Sequence, residues 1–130
     1  MNQSMDNYAK QFGLTGTQMS ILDFIGTRTD VLQRDIETEF NIQRSTATVT
    51  LQRMEKQDLV ERHPSPNDSR QKIVTVTSAA KPLQERASNY ITQQQNAINA
   101  EFSSTEQALI TQMLHRFIEL NGGHTHERTN

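Results

Sequence analysis

Between positions 43 and 54 the sequence sets Gln43, Arg44, Ser45, Thr46, Thr48, Val49, Gln52 and Arg53 around Ala47, Leu51 and Met54. Wound as a helix, the three apolar residues share one face at i, i+4 and i+7, and the polar set takes the opposite face and its edges. Arg44 or Arg53 can clamp the O6/N7 edge of guanine, and Gln43 or Gln52 the N6/N7 edge of adenine. Hydroxyls such as Ser45, Thr46 and Thr48 and the unpaired N–H groups of a helix start are phosphate ligands. Val49, apolar on a solvated face, suits a thymine methyl; the competing reading packs it on a neighbouring hairpin. Further on, Asp68 and Arg70 end a stretch of turn formers, Pro64-Ser65-Pro66-Asn67-Asp68-Ser69-Arg70. A guanidinium at such a tip is drawn to the negative potential of a minor groove. Asp68 would repel phosphate; by spacing alone a solvated turn aspartate is favoured over a partner for Arg70 or a loop N–H. The chemistry these residues share is contact with double-stranded DNA.

The elements on either side must hold them. Thr15 and Gln18 have capping-box spacing and Leu14 and Met19 that of a hydrophobic staple, opening a helix with Ile21, Leu22 and Ile25 inward and Gln18 on the edge. Gly26 marks its end. Leu32, Ile36 and Phe40 define a second short helix that breaks at Asn41, a residue tolerant of left-handed backbone. Ile42 plugs the corner, and a third helix follows over about residues 43–57. Two helices across so short a turn predict a helix-turn-helix. Leu59–His63 and Lys72–Val76 read as strands of a hairpin, which completes a winged helix.

Thr77 can cap the next helix, whose apolar positions Leu83, Ala87, Tyr90, Ile91, Ala97 and Ile98 run to about Phe102. Pro82 requires that helix to start nearby or to have a separate first turn. Ser103 and Glu106 form another capping box before Leu109, Ile110, Met113, Leu114, Phe117, Ile118 and Leu120, with Gly122-Gly123 as the stop. The predicted fold is mainly α with a small β-hairpin wing. Residues 14–77 form a winged helix-turn-helix, residues 1–13 and 78–121 a helical dimerisation region, and residues 122–130 a flexible tail. The apolar faces of the last two helices exceed what a small winged helix can cover, so a homodimer is expected.

Composition excludes several classes. The chain has no Cys, hence no disulfide framework, thiolate metal site or redox-sensing thiol. No nucleophile–base or carboxylate pair stands out, and five Gly leave no phosphate-cradling loop, so catalysis and a cofactor are not expected. His124-x-His126 reads as frayed tail rather than metal site, and His115 as a core-edge histidine. No apolar run approaches the ~20 residues of a membrane span, no signal-peptide core is present, and no helix has a basic face for a membrane surface. A soluble cytoplasmic protein is expected. The net charge of −2 argues against nucleic acid, but its distribution does not. Residues 43–76 hold six basic and four acidic side chains, whereas residues 1–42 hold three and six. The competing function is a winged helix used for protein interaction without DNA.

In order and spacing these segments resemble the MarR family of bacterial transcription regulators over roughly residues 14–120. "LTGTQMSIL" is similar to the helix that opens the DNA-binding unit, and "DIETEFNIQRSTATVTLQRMEKQDLVER" to the helix-turn-helix and first strand. "PNDSRQKIVTVT" resembles the wing with its Asp-x-Arg signature at Asp68 and Arg70, and "FSSTEQALITQML" the last dimerisation helix. The resemblance implies a sequence-specific regulator, usually a repressor, acting as a homodimer on a pseudo-palindromic operator. It also implies release by a small-molecule effector, and a clasp between Asp68 and Arg70 that shapes the wing tip. The chain departs from the family at Asp58 and Ala80, where Gly is frequent, and in its short N-terminal helix.

Overall fold

The computed structural model describes the backbone of residues 3–128 and the side chains of residues 4–120. Its contacts fall into two compact units that divide at Tyr90. The first holds α1 (Gln3–Lys10), α2 (Gly16–Gly26), α3 (Gln33–Phe40), α4 (Arg44–Lys56), β1 (Val60–Pro64), β2 (Lys72–Val76) and the start of α5 (Lys81–Glu101). The second holds the rest of α5 and α6 (Ser104–Arg128). This is the mainly helical fold with a hairpin wing that the sequence predicts.

The core of the first unit is the set of inward positions read from periodicity. Met19, Ile21, Leu22, Ile36, Ala47, Leu51 and Met54 are fully buried, joined by Val60 and Val74 from the hairpin. At the start of α2, Gln18 N–H donates to the Thr15 hydroxyl and Thr15 N–H to the Gln18 amide oxygen, both at 3.1 Å. Gln18 is not merely on the edge of the stripe: it is buried, and its Nε2 donates to Gln57 Oε1 at 2.9 Å. That bond ties the base of the domain to the end of α4. The N-terminal stretch adds α1, which buries Met5 and Ala9; the Asp6 carboxylate accepts from Gly16 N–H at 2.9 Å.

Helices α3 and α4 end alike. At α3, Asn41 is left-handed (φ 52°), Ile42 N–H donates to Glu37 C=O and Asn41 N–H to Thr38 C=O. At α4, Asp58 takes the same conformation (φ 61°), with Leu59 N–H on Met54 C=O and Asp58 N–H on Glu55 C=O. Each is a paired Schellman closure that satisfies carbonyls otherwise left open and turns the chain sharply. The first makes the turn of the helix-turn-helix; the second sends the chain into the wing. Asp58, a residue with a Cβ, carries the steric cost of that backbone.

Two expectations need correction. Leu32 is extended rather than helical: it precedes α3, donates its N–H to the Asp35 carboxylate, and bridges Ile73. Val31 C=O accepts from Val74 N–H at 2.8 Å, so residues 31–32 lie against β2 through one isolated bridge and do not extend the two-stranded sheet. A strand contact of this kind leaves no period in the sequence. Gly122-Gly123 does not stop α6, which continues to Arg128. Two glycines weaken a helix by about 1 kcal/mol each, which does not by itself end one.

The register of the hairpin pairs Val60 with Val76 and Pro64 with Lys72. Thr77 closes the turn of residues 78–80 that precedes α5 and does not cap the helix itself, accepting from Ala80 N–H at 3.1 Å while donating to Asp58 C=O at 2.7 Å. Because α5 begins at Lys81, Pro82 falls in its first turn, where its missing N–H costs nothing. Helix α2 ends at Gly26 as expected, and a Cβ there would also meet the buried Gln84 side chain, which would have to shift. In the second unit, Ser103 and Glu106 form the predicted capping box, at 2.8 and 3.1 Å. Gln107 donates to the Asn99 and Phe102 carbonyls and closes the corner between α5 and α6.

Replacing Asp58 with Gly is expected to stabilise the protein by roughly 0.5–1 kcal/mol, because Gly adopts left-handed backbone without the Cβ penalty. Asp58→Val is expected to destabilise it; urea denaturation of the two variants checks the sign.

Candidate nucleic-acid interface

The face of α4 opposite its buried stripe is open to solvent. Gln43, Arg44, Ser45, Thr46, Gln52 and Arg53 are exposed, and Thr48 is half-buried at the edge. Val49 is 54% exposed, leaving more than half of its apolar side chain in solvent. At the head of this helix Gln43 occupies the cap position but makes no side-chain capping bond. The N–H groups of Arg44, Ser45 and Thr46 therefore point outward with the positive end of the helix dipole behind them.

The structure brings only part of the predicted set together. Arg44 and Thr48 from α4 and Asp68 and Arg70 from the wing line one cleft of about 720 Å³. Gln52 lies beside a second hollow with Glu55, Lys56 and Arg62. Gln43, Ser45, Thr46, Val49 and Arg53 line neither and stay on the convex crest of the helix. The cleft adds residues that sequence reasoning did not single out: Gln33, Arg34 and Glu37 from α3, Arg62 from β1, and Gln71 and Lys72 at the wing. Five basic groups then face two carboxylates. Arg62 and Lys72 belong to the basic central stretch and were legible as charge. Arg34 lies in the acidic flank, and only the packing of α3 against α4 brings it to this face.

At the wing tip, Arg70 N–H and Nε donate to Asp68 Oδ1 at 3.0 and 3.2 Å, and Nη2 reaches Oδ2 at 3.4 Å. The resemblance implied this clasp, whereas spacing alone favoured a solvated aspartate. Ser65 N–H on Gln71 C=O and Gln71 N–H on Asp68 C=O, both 2.9 Å, close the loop beneath it. The Arg70 side chain nevertheless remains 88% exposed, so its position is set while its outer surface stays free to bind. The side-chain and backbone bonds from Arg70 hold the Asp68 carboxyl below the usual aspartate range, with a smaller contribution from Arg34.

Beneath the surface residues lies a set of bonds that the sequence did not reveal. Arg62 Nη2 donates to Glu55 Oε1 at 3.0 Å and Nη1 to Gln33 Oε1 at 3.2 Å; Gln33 Nε2 donates to Thr48 Oγ1 at 3.0 Å. These join β1, α4 and α3 behind the candidate contact surface. No group of three or more metal-ligating side chains and no helix long and apolar enough to cross a membrane occurs among the described residues. His115 is exposed on α6, not at a core edge, and the side chains of His124 and His126 lie outside the described residues.

Comparison with known proteins places this geometry. The model of the MarR family matches residues 12–71. The crystal structure of the transcription regulator MarR from Oenococcus oeni is 41% identical, with 89% of this chain and 88% of that one covered at a TM-score of 0.77. The homoprotocatechuate degradative operon repressor of Escherichia coli is 29% identical over 111 residues, 85% of this chain and 75% of its own. The MepR–DNA complex of S. aureus shares the fold at 20% identity and a TM-score of 0.77, covering 90% of this chain and 86% of that one.

The clasp predicts a pH response with a definite sign. A carboxyl whose folded-state pKa is lowered contributes its stabilisation above the ordinary value, 3.8, and loses it as pH falls through the lowered one. The wing tip should therefore stay clasped at neutral and mildly acidic pH. A carboxyl-detected NMR titration is expected to place the Asp68 midpoint below 3.8, and Arg70→Ala should return it toward that value.

Proposed function

The chain belongs to the MarR family of transcription regulators, and on that premise we propose that it is a homodimeric repressor that binds a pseudo-palindromic DNA operator. The observation that carries this reading is the joint surface of α4 and the wing: an uncapped helix start, an exposed Val49 on a polar crest, and a basic cleft continuing to Arg70. The head of α4 supplies backbone donors for phosphate, Gln52, Arg53 and Val49 supply base-edge contacts, and Arg70 enters the flanking minor groove. A protein-interaction module has no use for that combination of open donors and clasped arginine. The MepR complex with DNA and the operon repressor among the relatives support both the partner and the sign of regulation.

The dimer rests on the second unit. Leu109, Ile110, Met113, Leu114, Ile118 and Leu120 along α6 are each 40% or more exposed, far more apolar surface than one face of a monomeric helix leaves in water. A second copy of the same helices covers it most simply, and a twofold axis sets recognition helices about 34 Å apart, one turn of DNA. A small-molecule effector releases the operator by binding better to a dimer whose helices have the wrong spacing.

Anisotropy titrations against duplex DNA at several salt concentrations test the interface. Arg70→Ala is expected to weaken binding on all sequences and to flatten the salt dependence by about one phosphate contact. Val49→Ala should instead change which sequences are preferred, at a cost of roughly three- to tenfold on thymine-bearing sites. Absence of any salt-sensitive binding by the wild type would show a protein-only module. In sedimentation, Met113→Glu with Leu114→Glu is expected to give a monomer that keeps its winged helix; a dimer that survives both charges would overturn the assignment.

A further inference from the structure

The bonds joining Glu55, Arg62, Gln33 and Thr48 have a direction, and that direction ends at the DNA-facing surface. A guanidinium carries donors only. Arg62, with Nη1 3.2 Å from the Gln33 side chain, therefore requires the amide oxygen of Gln33 to face it. The amide nitrogen must then face Thr48, 3.0 Å away, and the Thr48 oxygen must accept. The Thr48 hydroxyl hydrogen is left without a use inside the protein. Three other helical or helix-end threonines do use this hydrogen: Thr27, Thr38 and Thr111 each donate to the carbonyl four residues back, at 2.7, 3.1 and 3.0 Å. Among the described residues Thr48 has only its bond from Gln33.

The upstream links are held firmly enough to impose this polarity. Gln33 is 9% exposed, and the Arg62 side chain 19%. Arg62 Nε is buried without a partner, and its Nη1 and Nη2 are engaged by Gln33 and Glu55. Glu55 on α4 anchors its other end. Turning the Gln33 amide over would set its NH₂ against the Arg62 donors, a repulsive contact in a place with little water to relieve it.

We propose that Gln33 is a positioning residue that presents Thr48 to DNA as a hydrogen-bond donor, with Arg62 dictating the direction. The inference rests on the DNA-binding reading above. Acceptors available to such a donor are guanine O6 and N7, adenine N7 and thymine O4 in the major groove, or a phosphate oxygen. Gln33 itself touches no DNA; it acts through the oxygen it occupies.

The test uses duplexes that the wild-type protein enriches from a random-sequence library, with affinities measured by anisotropy at one salt concentration. Thr48→Ser, which keeps the hydroxyl, is expected to bind within about twofold of wild type, and Thr48→Val to lose about tenfold, the effect of one hydrogen bond. Gln33→Met should lose a comparable amount, and Gln33→Met with Thr48→Val no more than Thr48→Val alone. Loss on the enriched duplex only identifies a base acceptor, and equal loss on an unrelated duplex a phosphate; both support the proposal. Thermal melting of each variant separates a folding defect from a binding one, and if Gln33→Met fails to fold, the contrast of Ser with Val at position 48 still decides. Undiminished binding by Thr48→Val, or losses that multiply in the double variant, overturns the proposal while DNA binding stands. Failure of the wild type to enrich any duplex overturns the DNA-binding reading itself.

Discussion

A single arginine holds the joint on which the rest of the winged helix depends. Arg62 rises from β1 with its guanidinium mostly buried, one arm on Gln33 of α3 and the other on Glu55 of α4. Three elements meet there that share no continuous backbone hydrogen bonding, so their mutual angles are set by side chains. A partly buried charge of this kind is stabilising only while its partners remain; removing one leaves an unpaired charge or amide at a cost of about 1–3 kcal/mol or more. The joint lies directly behind the outward face of α4. It adds a side-chain tie between the recognition helix and the wing to the contacts of the buried core.

Around that joint, structure resolves what net charge conceals. The chain carries −2 overall, yet the cleft between α3, α4 and the wing gathers five basic groups around two carboxylates. One of those carboxylates, Asp68, is spent on clasping Arg70, so its effect on an approaching phosphate is offset by the cation it positions. An acidic background with a few placed arginines gives modest non-specific attraction and makes recognition lean on geometry. The loop bonds beneath the clasp and the Schellman closure at Asp58 serve the same end, holding the wing at one angle to α4.

The second unit follows a different logic. Along its described length side chains lie open to solvent, including large apolar residues on α5 and α6 such as Ile98, Phe102 and Met113. Its local structure is complete, with a capping box at Ser103 and Glu106 and a corner closed by Gln107. Only burial is lacking. Local bonds define these helices, and the hydrophobic stabilisation that a core would give them is what the proposed homodimer supplies.

Most of the scaffold was legible because its signals are local. The i, i+4, i+7 spacing of Ala47, Leu51 and Met54, the capping boxes at Thr15 and Ser103, and left-handed Asn41 each arise within a few residues, where helical geometry dictates the neighbours. The exposed crest of α4 followed from the same period. Three features were not legible. Leu32 took the pattern of a helix residue, yet pairs with Ile73, forty-one positions away. Arg34 belonged by sequence to an acidic flank, yet lines the basic cleft. Gln33 and Arg62 were ordinary polar residues until packing set them 3.2 Å apart. The sequence by itself determined which residues form helices, which face of each is apolar, and where the charge lies, because these depend on backbone period and composition. Only the tertiary structure decided which polar atoms meet, and hence which way the Thr48 hydroxyl points. Hydrogen-bond direction is a property of atoms in contact, and no spacing along the chain encodes it.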